Sequence, residues 1–214
     1  MNEEQSGTPA AADPQPTVTI AELFAAAVGH HQAGRLAEAE QIYKAILTHD
    51  PNHADALHLF GVLAHQVGRN DVAITLIGRA IEIADHAPAF HANIGEAYRA
   101  MGRLDDAVAS MERALARNPN LTEAHNNLGN TLQDLGRYEE AAESYRRALA
   151  LRADLAVVHN NLGNALQALE RLDEAMACYE KALALDPNYA EAHYNYGNTL
   201  RVRGRLGDAI DRYR

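Results

Sequence analysis

The sequence contains no tryptophan, one cysteine (Cys178) and two lysines (Lys44 and Lys181), and only 6% of its residues are aromatic. A single thiol cannot close an intramolecular disulfide, so the fold does not depend on an oxidising compartment. Cationic charge is scarce, with 19 basic against 29 acidic residues and a net charge of -10. A nucleic-acid-binding surface needs a basic face to neutralise phosphates, and this balance argues against one. No run approaches the ~20 apolar residues needed to cross a bilayer. The opening Met1-Asn2-Glu3-Glu4-Gln5 lacks the positive and apolar regions of a secretory leader. The expectation is a cytoplasmic protein that engages neither membrane nor nucleic acid. No strand is readable, no Gly-rich phosphate loop follows one, and no His-Glu-x-x-His is present, so no cofactor or metal is implied.

What is present is ordinary for a folded chain: 47% hydrophobic and 22% charged residues in 214. Residues 1–19 hold Pro9, Pro14 and Pro16, show no apolar periodicity and are expected to be a disordered tail. Everything after them repeats. Ala124-His125-Asn126-Asn127-Leu128-Gly129-Asn130 returns at Val158-His159-Asn160-Asn161-Leu162-Gly163-Asn164 and, altered, at Ala192-His193-Tyr194-Asn195-Tyr196-Gly197-Asn198. The step from Gly129 to Gly163 to Gly197 is 34 residues, and walking back gives Gly95, Gly61 and the small residue Ala27. A second small-residue series runs through Ala39, Ala73, Ala107, Ala141, Ala175 and Ala209. Four residues beyond each lies a large one: Tyr43, Ile77, Met111, Tyr145, Tyr179 and Tyr213. A turn signal separates the halves at Gly34, Gly68, Gly102, Gly136 and Gly204, with Glu170 breaking the series.

Each period accommodates two helices of about 14 residues. In the fourth these are expected near Thr122 to Leu135 and Tyr138 to Leu151. Ala124, Leu128, Thr131, Leu132 and Leu135 then share one helical face. Gly129 and Ala141 are small so that the two helices can approach closely. Asn120 with Glu123, and Asn188 with Glu191, have the spacing of a capping box. Asp105-Asp106, Glu139-Glu140 and Asp173-Glu174 open second helices, where anions suit the dipole. One such pair cannot bury its apolar face alone, so a stack is required.

This pattern resembles the tetratricopeptide repeat family, whose period and Gly, aromatic and Ala positions it matches, with the family's proline present at Pro51, Pro119 and Pro187 but replaced by Asp85 and Ala153 in alternate repeats. The resemblance covers Ile20 to Arg214 as repeats 20–53, 54–87, 88–121, 122–155, 156–189 and an incomplete 190–214, about five and three-quarter in all. It implies an all-α, right-handed superhelical solenoid of antiparallel helix pairs whose first helices line a concave binding surface. The tryptophan usual in the family is absent, and His91, His125, His159 and His193 take its slot as packing residues. One repeat apart, they cannot converge on an ion. Cys178 has no nearby base to activate it and is expected to be an inert surface or interface thiol. The sequence stops inside the second helix of the sixth repeat. The expectation is a fragment of a longer protein, with an uncapped last repeat through which it self-associates.

The expected function is a non-enzymatic scaffold that binds an extended peptide or protein segment. On a helical wheel the polar side of the fourth repeat's first helix carries Asn126, Asn130 and Gln133, with Asn127 at the margin. Equivalents are Asn160, Asn161, Asn164 and Gln167 in the fifth repeat, Asn195, Asn198 and Arg201 in the sixth, and Asn93, Glu96 and Arg99 in the third. Asn93, Asn127, Asn161 and Asn195 form one ladder, and Asn130, Asn164 and Asn198 a second, which the wheel points further from the core. An amide both donates and accepts, so it can hold a peptide bond whatever side chain is attached. The rungs either meet such a peptide or bond adjacent helices and hold the stack together. The Asn-Leu-Gly-Asn motif at Asn127 to Asn130 and Asn161 to Asn164 is similar to the repeat region of the O-GlcNAc transferase and Spindly-type protein O-glycosyltransferases. That similarity implies an alternative: a substrate-recruiting arm whose catalytic domain is not in this chain.

Overall fold

The computed structural model describes residues 18–213. The expectation of a disordered tail therefore lies outside the described residues up to residue 17. Among the described residues there are twelve helices and no strand. They form two compact units, residues up to Pro51 and from Asn52 onward.

The first unit holds α1 (Ile20–Gln32) and α2 (Leu36–His49). Thr19, assigned above to the tail, is the N-cap of α1 and completes a capping box with Glu22. Ala27, Ala39, Tyr43 and Ile46 on these helices are fully buried. Burial pushes the Tyr43 hydroxyl up to about 12.

The second unit holds α3 (Ala54–Gln66), α4 (Asn70–Ile83), α5 (Pro88–Ala100), α6 (Leu104–Arg117), α7 (Thr122–Asp134), α8 (Tyr138–Leu151), α9 (Ala156–Ala168), α10 (Leu172–Leu185), α11 (Ala190–Val202) and α12 (Leu206–Tyr213). Each helix packs on the next, and each first helix also meets the first helix of the following repeat. Such nearest-neighbour packing makes stability a sum over adjacent interfaces.

In the second to fifth repeats the pairing is set by a glycine. A Cβ at Gly129 would lie 2.5 Å from the Tyr145 ring, and one at Gly163 would lie 2.5 Å from the Tyr179 ring. Gly61 and Gly95 stand in the same relation to Ile77 and Met111. The large residues reached in this way, and the alanines one turn before them, are fully buried from the second repeat to the fifth.

The turn between the two helices is closed by backbone alone. Gly102 N–H donates to the Arg99 carbonyl and Arg103 N–H to the Tyr98 carbonyl, at 2.9 Å each. This pair of bonds, with a left-handed residue after the cap, is a Schellman motif. Gly34, Gly68, Gly102, Gly136 and Gly204 all have φ between 71° and 80°. Glu170 adopts φ 60° in the fifth repeat without being glycine. The capping boxes expected at Asn120 and Asn188 do not form. The caps of α7 and α11 are Leu121 and Tyr189, without side-chain bonds. Asn120 and Asn188 instead donate their backbone N–H groups to Asn118 Oδ1 and Asp186 Oδ1, an Asx turn that starts the loop earlier.

Glu170→Gly should raise stability by about 0.5–1 kcal/mol, because relief of the left-handed strain exceeds the added unfolded-chain entropy. Gly129→Leu should lower it by about 1–3 kcal/mol through overpacking against a ring that cannot swing away. Thermal or urea unfolding of both variants checks the two signs together.

Candidate binding face of the first helices

Polar residues of α5, α7, α9 and α11 gather on one side of the second unit, and what the stack does with them differs from rung to rung. Asn93 Nδ2 lies 2.8 Å from His58 Nε2. Asn161 Nδ2 donates to Asn130 Oδ1 at 3.1 Å, and Asn195 Nδ2 to Asn160 Oδ1 at 3.1 Å. Three of the four rungs of the first ladder thus tie one repeat to the one before. Asn127 Oδ1 accepts from its neighbour Asn126 Nδ2 at 3.1 Å.

The second ladder is anchored to the core rather than turned from it. The hydroxyls of the buried Tyr145 and Tyr179 pass the glycines and donate to Asn130 Oδ1 and Asn164 Oδ1, at 2.9 Å in both cases. Burial raises the pKa of both phenols, so they stay protonated as donors. Gln167 Oε1 lies 2.6 Å from the Thr199 hydroxyl and 3.1 Å from that of Tyr179. Asn198 is half-buried on α11, and Arg201 is exposed one turn further along it.

Asn160 is the one predicted binding residue that the fold removes from solvent, at 0% exposed. A helical wheel treats α9 in isolation, whereas α11 lays Glu191 and Asn195 over this position. Asn160 Nδ2 donates to Glu191 Oε1 at 3.0 Å.

Five buried side-chain atoms among the described residues have no hydrogen-bond partner: Glu96 Oε1, Arg99 Nε, Asn126 Oδ1, Gln133 Oε1 and His125 Nδ1. The first four share this face on α5 and α7; sequence differences explain two of them, and a different choice of hydrogen-bond acceptor a third. Glu96 occupies the place of Asn130, but Met111 stands where Tyr145 would supply a hydroxyl. Gln133 occupies the place of Gln167, but Ala165 replaces the donor Thr199. Asn126 occupies the place of Asn160, but Asn161 gives its N–H to Asn130 and not to Asn126. Burial raises the Glu96 carboxyl above its ordinary range, opposed by the nearby Arg99. Arg99 itself bonds Asp134 Oδ2 at 2.9 Å across the repeat boundary.

The histidines of the tryptophan slot have a uniform task. His91, His125, His159 and His193 each place Nε2 2.9–3.0 Å from the carbonyl six residues earlier. A carbonyl only accepts, so Nε2 carries the proton and pins the loop between repeats to the first helix. No group of three potential metal ligands occurs among the described residues. Cys178 is buried and not at the surface, and burial raises its pKa.

An arginine that the sequence reading passed over follows each turn residue. Arg103, Arg137, Arg171 and Arg205 pair with the acid three residues on, at 2.6–2.8 Å. The 34-residue recurrence of arginine was the available signal, and the acids read as dipole partners also hold these guanidinium groups. Solvent-exposed pairs of this kind contribute little individually.

The geometry defines an α-helical repeat array with a polar face on its first helices. The chain belongs to the tetratricopeptide repeat family: models described as tetratricopeptide repeat match residues 30–94, 85–154, 120–188 and 178–211. No curated protein matches it. Among solved structures it is similar to MamA, at 22% identity over 77% of this chain and 96% of that one, with a TM-score of 0.69. It is similar also to PilF of Pseudomonas aeruginosa, at 17% identity over 91% and 88% of the two chains and a TM-score of 0.80. A tetratricopeptide protein of Thermus thermophilus shares 23% identity over 86% of this chain and all of that one, with a TM-score of 0.67. These likenesses show a common fold. Among the described residues no helix is long and apolar enough to cross a membrane.

His58 offers a test of the α3–α5 junction. Its ring stacks on Phe90 with centroids 4.3 Å apart, and burial lowers its pKa from 6.5 to about 4 against the opposing pull of Asp55. The folded value lies below the unfolded one, so the unfolded chain binds the proton first. Stability from this group is complete above pH 6.5 and declines as pH falls toward 4, by up to about 3 kcal/mol. His58→Gln keeps an acceptor for Asn93 without titrating. Its urea midpoint should fall less steeply than that of the parent between pH 7 and 4.5.

Proposed function

We propose that the chain is a non-enzymatic scaffold that holds an extended protein segment along α5 and α7, with α9 and α11 extending the track. The observation that carries this is that four of the five buried atoms without a hydrogen bond lie on that one face, with Glu96 Oε1 and Arg99 Nε joined only by a long ion pair at 3.8 Å. Glu96 Oε1, Asn126 Oδ1 and Gln133 Oε1 are acceptors, and Arg99 Nε is a donor. An extended backbone presents both kinds of group and leaves its own pairs unmade, so it complements such a surface. Helices 8–10 Å apart meet an extended chain, at about 3.3 Å per residue, roughly every third residue.

The candidates therefore divide by role. Asn93, Asn161, Asn195 and Asn160 act first as joints between repeats, and Asn130, Asn164 and Gln167 as anchors for the core tyrosines. Asn126, Asn127, Gln133 and Arg201, joined by Glu96 and Arg99, have the capacity left for a partner. Asn198 extends the same track on α11. An amide already making one bond still has donors or lone pairs to offer, so joints can also touch ligand. The carboxylate clamp of chaperone-binding relatives needs several cations here, and only Arg99 and Arg201 occupy such positions. The glycosyltransferase-arm alternative rests on the Asn-Leu-Gly-Asn similarity alone.

The test uses a peptide selected from a random displayed library against the whole chain. Combined Glu96→Ala, Asn126→Ala and Gln133→Ala substitutions should weaken that peptide by about 10-fold or more, while leaving Tm within a few degrees. Asn161→Ala with Asn195→Ala should instead lower Tm. Unchanged affinity in the first variant removes this face from the function.

A further inference from the structure

One junction of the track is built differently from its neighbours. Between the starts of α7 and α9 lies an open groove of about 640 Å³. Leu121 and Leu155 line it half-buried, and Val157 lines it at 54% exposed. Asn126 lines it too, so the groove and the track share a residue.

Val157 is the departure. Glu123 and Glu191 hold the same place one repeat before and one repeat after, and Ala87 stands where Leu121 does in the repeat before. Glu191 accepts from Asn160 Nδ2 at 3.0 Å and so ties α11 to α9. Valine has no acceptor to offer, and Asn126 Nδ2 turns instead to its own neighbour Asn127 at 3.1 Å. The junction of α7 with α9 lacks this tie, and an aliphatic side chain stands exposed in its place.

Charge decides what can lie there. The first turns of α7 and α9 both border the groove, and the positive ends of two helix dipoles disfavour a cation. Glu123, in the first turn of α7, disfavours an anion and is itself matched by the dipole of that helix. Arg152 and Asp154, the other charged lining residues, face each other at 3.9 Å. A neutral apolar side chain meets none of these costs and removes Val157 and the two leucines from water. A groove of this volume has room for a large one.

We propose that this groove takes a large apolar side chain of the segment held on the track, with Val157 as the residue that selects it. The inference rests on the track reading and adds a sequence requirement to it. The amides can hold any backbone, whereas Val157 asks for one kind of side chain at one point along it.

The peptide selected from a random displayed library against the whole chain is the probe. It should carry a large apolar residue whose replacement by alanine weakens binding about fivefold to thirtyfold. Intermolecular nuclear Overhauser effects should connect that residue to the Val157 methyl groups. In Val157→Glu the same replacement should cost less than about twofold, since the two sites no longer couple. Tm should stay level or rise, because a carboxylate at this position can close on Asn126 as Glu191 closes on Asn160. Val157→Ser repeats the coupling measurement without adding a charge. A peptide weakened by the combined Glu96→Ala, Asn126→Ala and Gln133→Ala substitutions, but with no apolar residue coupled to Val157 or with a charged one there, overturns this inference and leaves the track standing. A peptide indifferent to those three substitutions overturns the track and this inference with it.

Discussion

A tyrosine ring lying across a glycine organises both sides of the sheet-like row of first helices. Gly129 lets Tyr145 approach until no Cβ would fit between them. The ring then fills the core, and its hydroxyl emerges on the far side to hold Asn130, the residue after the glycine. Asn130 in turn receives Asn161 from the next repeat. One close contact thus fixes the helix pair, orients a polar residue and links it to its neighbour. The same sequence of contacts begins again at Gly163, Tyr179 and Asn164. A polar group held at the edge of a core in this way has little rotamer freedom left to lose, which favours preorganised binding.

Repetition made the fold legible. Gly129, Ala141 and Tyr145 could be assigned to a helix contact because their counterparts recur at one spacing, and the observed α7 and α8 lie within a residue of the expected spans. The face was less legible. Periodicity places a residue on a wheel but says nothing of the helix that comes to lie over it. Asn160 and Asn126 have the same wheel position, yet Asn160 is sealed beneath Glu191 and Asn195 while Asn126 keeps an unpaired oxygen. Capping failed for a related reason. Asn120 has the spacing of a capping box, but Asn118 captures its backbone N–H two residues back and the box cannot close.

Departures from the repeat have different consequences according to where they fall. At Glu170 the departure puts a side chain in left-handed backbone, a local strain with no evident partner. At Met111 and Ala165 it removes a hydroxyl that the equivalent residues, Tyr145 and Thr199, supply. The packing survives, because methionine still fills the space beside Gly95. Only the polar satisfaction is lost, and it is lost on Glu96 and Gln133.

This separation between packing and polar pairing bears on how such an array acquires a binding site. A stack of identical repeats would satisfy its own amides at every junction and offer a partner little. Replacing a buried tyrosine by methionine keeps the volume roughly constant, a change that cores tolerate. It also releases an acceptor on the opposite surface, where an unpaired buried group has a desolvation penalty of about 1–3 kcal/mol. A bound segment that supplies the missing donor recovers that penalty, so the binding energy comes from a defect already built into the stack. On this argument the third and fourth repeats are the centre of the track, although the asparagine motif is most regular in the fourth and fifth.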